Sequence, residues 1–349
     1  MKNSIKYILY SPIDFLILIY AVVFFSFTNK TPFAGYKSML RLYCIYGGII
    51  TDCVGYLTKD KINKTTKDIK QEDAKLKEII NNLNDKGYHV YNNFLSEDEI
   101  KELSSLIKES KFALRQSDAD FDNNKSLNNK KNIFFDEFNP ERVLYEFDRG
   151  HLINQTITQK ILAKKDFYSI ASKYFNSTAY LDHISLSIST DYNKGSKIGD
   201  SNAAQLYHFD LDRPKWLKFL IYINDVNSNN GPHCYIENTH KNYSIPFKIM
   251  SRGYKRIEQF EIDKLFKKEK QIKFIESAGT AIIEDTKGLH KGEKLKKGYR
   301  VLLNIQFNNS MFGGPYEKLI FKEIKPELKD KFYKIKANLK FATNIEKFL

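Results

Sequence analysis

From about residue 180 onward the chain is written in short β-segments, and that succession constrains its fold more than any other feature. "YLDHISLSIST", "AAQLYHFD", "KWLKFLIYINDV", "QIKFIE", "TAIIED" and "YRVLLNIQFN" follow one another, separated by turns of Gly, Asn, Asp and Lys. Upstream the period changes. Leu76, Ile79, Ile80 and Leu83 recur at helical spacing, and "GYHVYNNFL" reads as a short strand after a glycine stop. Ser96 then caps a further helix, with Glu99 placed as a capping box requires. Helices followed by many short strands predict an α+β fold, an antiparallel barrel or double-sheet jelly roll with helices packed outside.

A chain of 349 residues holds one large catalytic domain with an extension, or two ordinary domains. Its 42% hydrophobic and 14% aromatic content is ample for a core, so general disorder is not expected. A net charge of +14 suits nucleic acid or anionic lipid, yet the excess is scattered lysine without an arginine-rich cluster or zinc-finger spacing. Dedicated nucleic-acid binding is therefore not expected. Cys44, Cys53 and Cys234 share no C-x-x-C spacing, which argues against a zinc knuckle or disulfide framework. Three thiols in such a chain fit a reducing compartment, the cytoplasm.

The first 58 residues form a separate, apolar helical segment. No charged residue occurs from Phe15 to Asn29, a stretch shorter than the roughly 20 residues a spanning helix needs. A second apolar stretch, "MLRLYCIYGGIITDCVGYL", carries Arg41 and Asp52. Two readings fit: both segments lie in an anionic membrane interface, or both pack as helices onto the main domain. A cleaved signal peptide fits less well, because no small-x-small cleavage site follows. Residues 59–75 read as a charged linker, 76–310 as the catalytic domain and 311–349 as a C-terminal helical extension. The polar stretch 116–132 reads as a loop that could act as a lid.

"YHFDLDRPKW" places His208 two residues before Asp210 on a strand-like run, where both side chains share one face. Alone, such a pair is more often a solvated polar face than an ion site. His290, after a strand-like run and a glycine, supplies a third donor. Two histidines and one carboxylate on one face of an octahedron leave three positions open, the arrangement of non-haem Fe(II) oxygenases. Asp212 shares strand parity with Asp210, but Pro214 soon bends the strand away, which favours Asp210. A carboxylate at this position also argues against a halogenase. Arg300 begins the next strand, and its planar fork suits a carboxylate held by two bonds. Asn304 and Gln306 share the face of Arg300 and need partners, because a buried unpaired amide costs about 1–3 kcal/mol.

With His208-x-Asp210, the "NGPHCYIENTHK" segment, "AGTAIIEDTKGLHKG" with Arg300, and the opening "GYHVYNNFLSEDEIKEL", the chain resembles the phytanoyl-CoA dioxygenase-like (PhyH) family over roughly residues 75–310. The resemblance implies a double-stranded β-helix (jelly-roll) core with packed flanking helices. It implies Fe(II) held by His208, Asp210 and His290 as the catalytic centre, with 2-oxoglutarate and O2 as cosubstrates. Arg300 would bind the distal carboxylate of 2-oxoglutarate, with Gln205 and Asn304 as further cosubstrate contacts. Gln306, Trp216, Lys218 and His233 are weaker substrate-binding candidates: a lysine such as Lys218 is usually solvated, and His233 reads as a loop position. Two departures stand out. Gly292 occupies a position where many members carry a small hydroxyl residue. Glu237, Asn238, Thr239 and His240 replace a usual Pro-Gly-Ser-His, so His240 reads as a turn residue.

The expected function is an Fe(II)- and 2-oxoglutarate-dependent dioxygenase that hydroxylates a small-molecule, lipid-linked or glycan-type substrate in the cytoplasm, or at the inner face of a membrane through residues 1–58. A non-catalytic binding protein on the same fold is the alternative, with a cupin-type metal enzyme behind it, since the latter has no use for Arg300.

Overall fold

The computed structural model describes residues 2–60, 74–114, 132–192 and 204–348, apart from Tyr254, Tyr316 and Asn344. Most of the charged linker 59–75 and nearly all of the loop 116–132 lie outside the described residues.

Three helices open the chain: α1 (Lys2–Thr28), α2 (Phe33–Tyr46) and α3 (Ile49–Thr58). α2 runs back along α1, so Ser11 meets Tyr46, Asp14 meets Ser38 and Arg41, and Ala21 meets Gly35. The buried residues of α1, namely Ser11, Asp14, Leu18, Ala21 and Phe25, recur at alternating spacings of three and four, which draws one seam along a helix. At Gly35 a Cβ would collide with that of Ala21, so the close approach of the two helices requires a glycine there.

Helix α4 (Ala74–Asp85) buries Leu76, Ile79 and Leu83, as their spacing predicts. It stops at Gly87, whose φ of 92° lies in the left-handed region and where a Cβ would strike the Tyr235 hydroxyl. Strand β1 (Tyr88–Tyr91) follows. Ser96 caps α5 (Glu97–Glu109) in a complete capping box with Glu99.

The strands that follow are β2 (Lys111–Leu114), β3 (Asn132–Phe134), β4 (Leu144–Glu146), β5 (Tyr180–Thr190), β6 (Trp216–Tyr222), β7 (His233–Ile236), β8 (Gln271–Phe274), β9 (Ala281–Glu284), β10 (His290–Gly292) and β11 (Tyr299–Asn308). Seven of them join β1 in one antiparallel sheet in the order β1-β9-β6-β11-β5-β4-β2-β3, and β10-β7-β8 form a second. Along β11 the residues alternate as the pleat demands. Val301, Leu303, Ile305 and Phe307 join the main core with Leu103, Phe167 and Phe219. Arg300, Asn304 and Gln306 share the opposite face. Phe321, Phe332 and Leu339 bring the C-terminal segment into the same core.

Two local expectations are corrected. "AAQLYHFD" is not a regular strand: Tyr207 bridges Ile257 and His208 bridges His290, each as an isolated pair. The reason lies in its hydrogen bonds, since the His208 amide donates to His290 but the Asp210 amide already donates to Thr286 in a turn. His233, read as a loop position, lies on strand β7 (His233–Ile236), whose backbone pairs with β8 and β10.

Candidate metal centre

His208 and His290 face each other across their bridge with ring centroids 4.3 Å apart. In both residues Nδ1 lies 2.9 Å from a backbone carbonyl, that of Leu206 and of Gly288 respectively. A carbonyl only accepts, so Nδ1 carries the proton and the Nε2 lone pair is left to point elsewhere. Both Nε2 atoms point at Asp210: His290 is 3.3 Å from its Oδ2 and His208 is 3.9 Å from its Oδ1. The donor atoms of the three residues all lie within 4.8 Å of one another, and all three residues are buried. Two fixed imidazole lone pairs and a carboxylate at this spacing fit one first-row divalent ion, and the carbonyls that fix the ring tautomers are the outer partners such ligands ordinarily have.

Asp210 has a partner that its sequence position did not suggest. Lys218, a weak substrate-binding candidate by sequence, points inward from β6 and its ammonium donates to Asp210 Oδ2 at 2.6 Å. Burial alone would raise the Asp210 carboxyl, but Lys218 and His290 hold it well below the usual carboxylate range. Burial, reinforced by neighbouring His290, pushes the His208 imidazole well down. Burial also disfavours charge on His290, yet Asp210 beside it outweighs burial and raises it. Beneath Lys218 the Trp216 ring lies 5.0 Å from the ammonium and is fully buried. Trp216 therefore supports Lys218 from the interior and presents no accessible wall.

Arg300 is buried on the same face of the large sheet. It donates to the Gly231 carbonyl and, at 3.4 Å, to the Ser189 hydroxyl, while its Nε has no partner. No carboxylate among the described residues pairs with it. Burial correspondingly pulls its pKa below the ordinary guanidinium value. A guanidinium left among neutral acceptors is costly unless an anion completes it. Ser189 is opposite Arg300 in the β5–β11 register. Further along β11 the buried Asn304 Oδ1 also lacks a partner.

The other expected residues divide. Gln306 joins a structural network, its amide 3.5 Å from Asp182, which Arg213 clamps through two bonds of 2.9 Å. Asp212 accepts from the Tyr36 hydroxyl at 3.0 Å, away from the triad. Gln205 is partly buried three residues ahead of His208, with no role the geometry assigns. His240 sits in a turn with Nε2 3.1 Å from the Asn84 carbonyl. His233 is on β7, its Nε2 within 3.0 and 2.9 Å of the two Glu284 oxygens and its ring 5.8 Å from that of His290. Burial keeps that imidazole below its ordinary pKa despite Glu284, so the neutral ring donates. Glu284, wholly buried beside Lys218 in the β6–β9 register, was not anticipated. Its only signal was an acid closing the apolar run "TAIIE".

The family model of phytanoyl-CoA dioxygenase (PhyH) matches residues 83–294. The chain belongs to this family. The matched residues contain His208, Asp210 and His290, while Arg300 lies just beyond them. Among solved structures, the chain is similar to the non-haem α-ketoglutarate-dependent epimerase SnoN of nogalamycin biosynthesis, 12% identical over 68% of this chain and 83% of that one, with a TM-score of 0.46. HygX from Streptomyces hygroscopicus with nickel and 2-oxoglutarate bound is 14% identical over 72% and 92%, TM-score 0.44. EctD from S. alaskensis with bound Fe is 13% identical over 72% and 83%, TM-score 0.46. No curated protein matches the chain.

Proposed function

We propose that this PhyH protein is an Fe(II)- and 2-oxoglutarate-dependent oxygenase that hydroxylates a small-molecule, lipid-linked or glycan-type substrate. The observation that carries the reading is the convergence of two tautomer-fixed Nε2 atoms and one carboxylate within 4.8 Å, beside a buried arginine that lacks a carboxylate partner among the described residues. The two antiparallel sheets are read as the halves of a double-stranded β-helix, with residues 76–310 as the catalytic unit and 1–58 as the unit that meets a membrane.

His208, Asp210 and His290 would hold the iron, which when bound supplies O2 activation coupled to oxidative decarboxylation of 2-oxoglutarate. Arg300 would take the distal carboxylate through its planar fork, with Ser189 steadying the guanidinium. Lys218 engages Asp210 Oδ2 and so limits how the carboxylate can turn. The charges agree with this assignment. Lys218 and Arg300 offset the carboxylates of Asp210 and Glu284, so a divalent cation adds two positive charges that a dianionic cosubstrate cancels. Trp216, Phe274 and the paired His233 and Glu284 close the interior around the ligands and exclude water.

The test is anaerobic titration of Fe(II)-loaded protein with 2-oxoglutarate, read by the visible charge-transfer absorption of the chelate, followed by succinate release in air. A saturable band that His208→Ala abolishes together with metal binding, and that Arg300→Ala abolishes with metal binding retained, supports the assignment. Metal binding without any band favours a binding protein or another metal enzyme on the same fold.

A further inference from the structure

Helix α1 turns a broad apolar face away from the molecule, and no described residue covers it. Its seam residues face α2, but around the rest of the helix Leu16, Ile19, Tyr20 and Phe27 keep 69%, 60%, 62% and 86% of their surface, and Leu9, Ile13 and Val23 are exposed as well. The stretch Leu9–Thr28 spans 20 residues at a mean hydropathy of 1.9, with 28% of it buried. Its one charge, Asp14, is turned into the seam, where Arg41 and Ser38 bind it, so none reaches the exposed face.

The extent of that face selects its occupant. A second copy packed in a two-helix seam would cover one stripe and leave the remainder in water. A bilayer covers all of it. The charges agree: Lys2 and Lys6 lie in the opening turns of α1, Lys30 is exposed just beyond its other end, and on α2 alongside it Lys37 is exposed, its ammonium 4.5 Å over the exposed Phe33 ring. Lysines that flank an apolar face favour anionic headgroups.

Tertiary packing then fixes how α1 meets the membrane. α2 lies along α1 from Ser11 to Ala21, and on its other side Tyr43 packs 5.5 Å from Phe209, the residue between His208 and Asp210. A lengthwise crossing of α1 would drag α2 and the metal centre into hydrocarbon. We propose that α1 is an in-plane anchor that seats the protein on an anionic bilayer without crossing it. Through Tyr43 the anchor holds the metal centre at a fixed height above the surface. Its use for a lipid-linked substrate rests on the oxygenase reading; the docking face does not.

Full-length protein is mixed with vesicles of phosphatidylglycerol and phosphatidylcholine, or of phosphatidylcholine alone, and floated on a density gradient. Flotation is expected with the anionic vesicles and several-fold weaker with the neutral ones. The double variant Leu16→Glu with Tyr20→Glu should lower it at least tenfold while 2-oxoglutarate binding stays unchanged. In a Cys53→Ser background, Asn3→Cys and Lys30→Cys should both react with an impermeant maleimide added outside the vesicles. Labelling at one end only means a crossing helix and overturns the proposal. So does wild-type protein that stays in the dense fraction, flotation indifferent to the double variant, or a lipid-free dimer that the double variant dissolves. Flotation with no 2-oxoglutarate binding would leave the anchor standing and remove the oxygenase reading alone.

Discussion

Gly292→Ala is the smallest change that tests the anion site. An ideal Cβ at Gly292 falls 2.9 Å from Arg300 Nη2, 3.5 Å from Nη1 and 3.7 Å from Cζ. The first distance is shorter than real Cβ contacts, so the guanidinium must shift, away from Gly231 and Ser189. The backbone has no reason to move: Gly292 is not at a positive φ, and its amide keeps its bond to the Ala204 carbonyl. One misplaced hydrogen bond to a charged group costs about 1.5–3 kcal/mol, which corresponds to a roughly 10- to 150-fold weaker Kd for 2-oxoglutarate. Fe(II) affinity should change by less than about twofold, because no triad donor is displaced. Anaerobic titration by the charge-transfer band reads the first quantity, and metal titration monitored by fluorescence of Trp216, the single tryptophan, reads the second. An unchanged 2-oxoglutarate Kd would refute the placement of the cosubstrate carboxylate at Arg300, and equal loss of metal and cosubstrate would show that the backbone of β10 had moved instead. The same geometry accounts for glycine where relatives often carry a hydroxyl residue: here the guanidinium fills that space.

Two further predictions concern neighbouring groups. Lys218→Met removes the donor from Asp210 and is expected to weaken Co(II) binding about 10- to 100-fold and alter its d–d spectrum, in line with other partners of metal ligands; identical affinity and spectrum would assign Lys218 to packing only. His183, opposite Gln306 in the β5–β11 register, has its pKa pulled down to about 3, first by burial and then by Arg149. The unfolded chain therefore binds a proton that the folded chain refuses, and stability falls as pH drops below about 6.5, by roughly 2 kcal/mol between pH 6.5 and 4.5. Urea denaturation of His183→Gln should show an acid limb shallower by that amount, and superimposable limbs would mean that the imidazole protonates freely in the fold.

Much of the candidate metal centre was legible because its logic is local. The His208-x-Asp210 spacing puts both side chains toward the same place even though the strand expected there shrinks to a bridge, and His290 needed only a return of the chain. That Arg300 faces inward was legible from its place on an inward-facing strand position, and it is buried there. The capping box at Ser96 and the helical period of α4 depend on neighbours within a turn or two, which sequence states directly. The contact of Lys218 with Asp210 was not legible, because parity says which side chains share a face, not which face turns inward. That was decided when β6 paired between β9 and β11, setting Lys218 beside Glu284 and Gln306. His233 and Glu284 are far apart in sequence and meet only because β7 of the small sheet and β9 of the large sheet come together in the tertiary fold. The N-terminal stretch shows the same division. Hydropathy alone declared an apolar helix and left lying in a membrane interface and packing onto the domain equally open. The choice among them depends on which faces are already taken, and α2 takes one side of α1 and leaves the other bare, a relation between surfaces that the order of residues cannot express by itself.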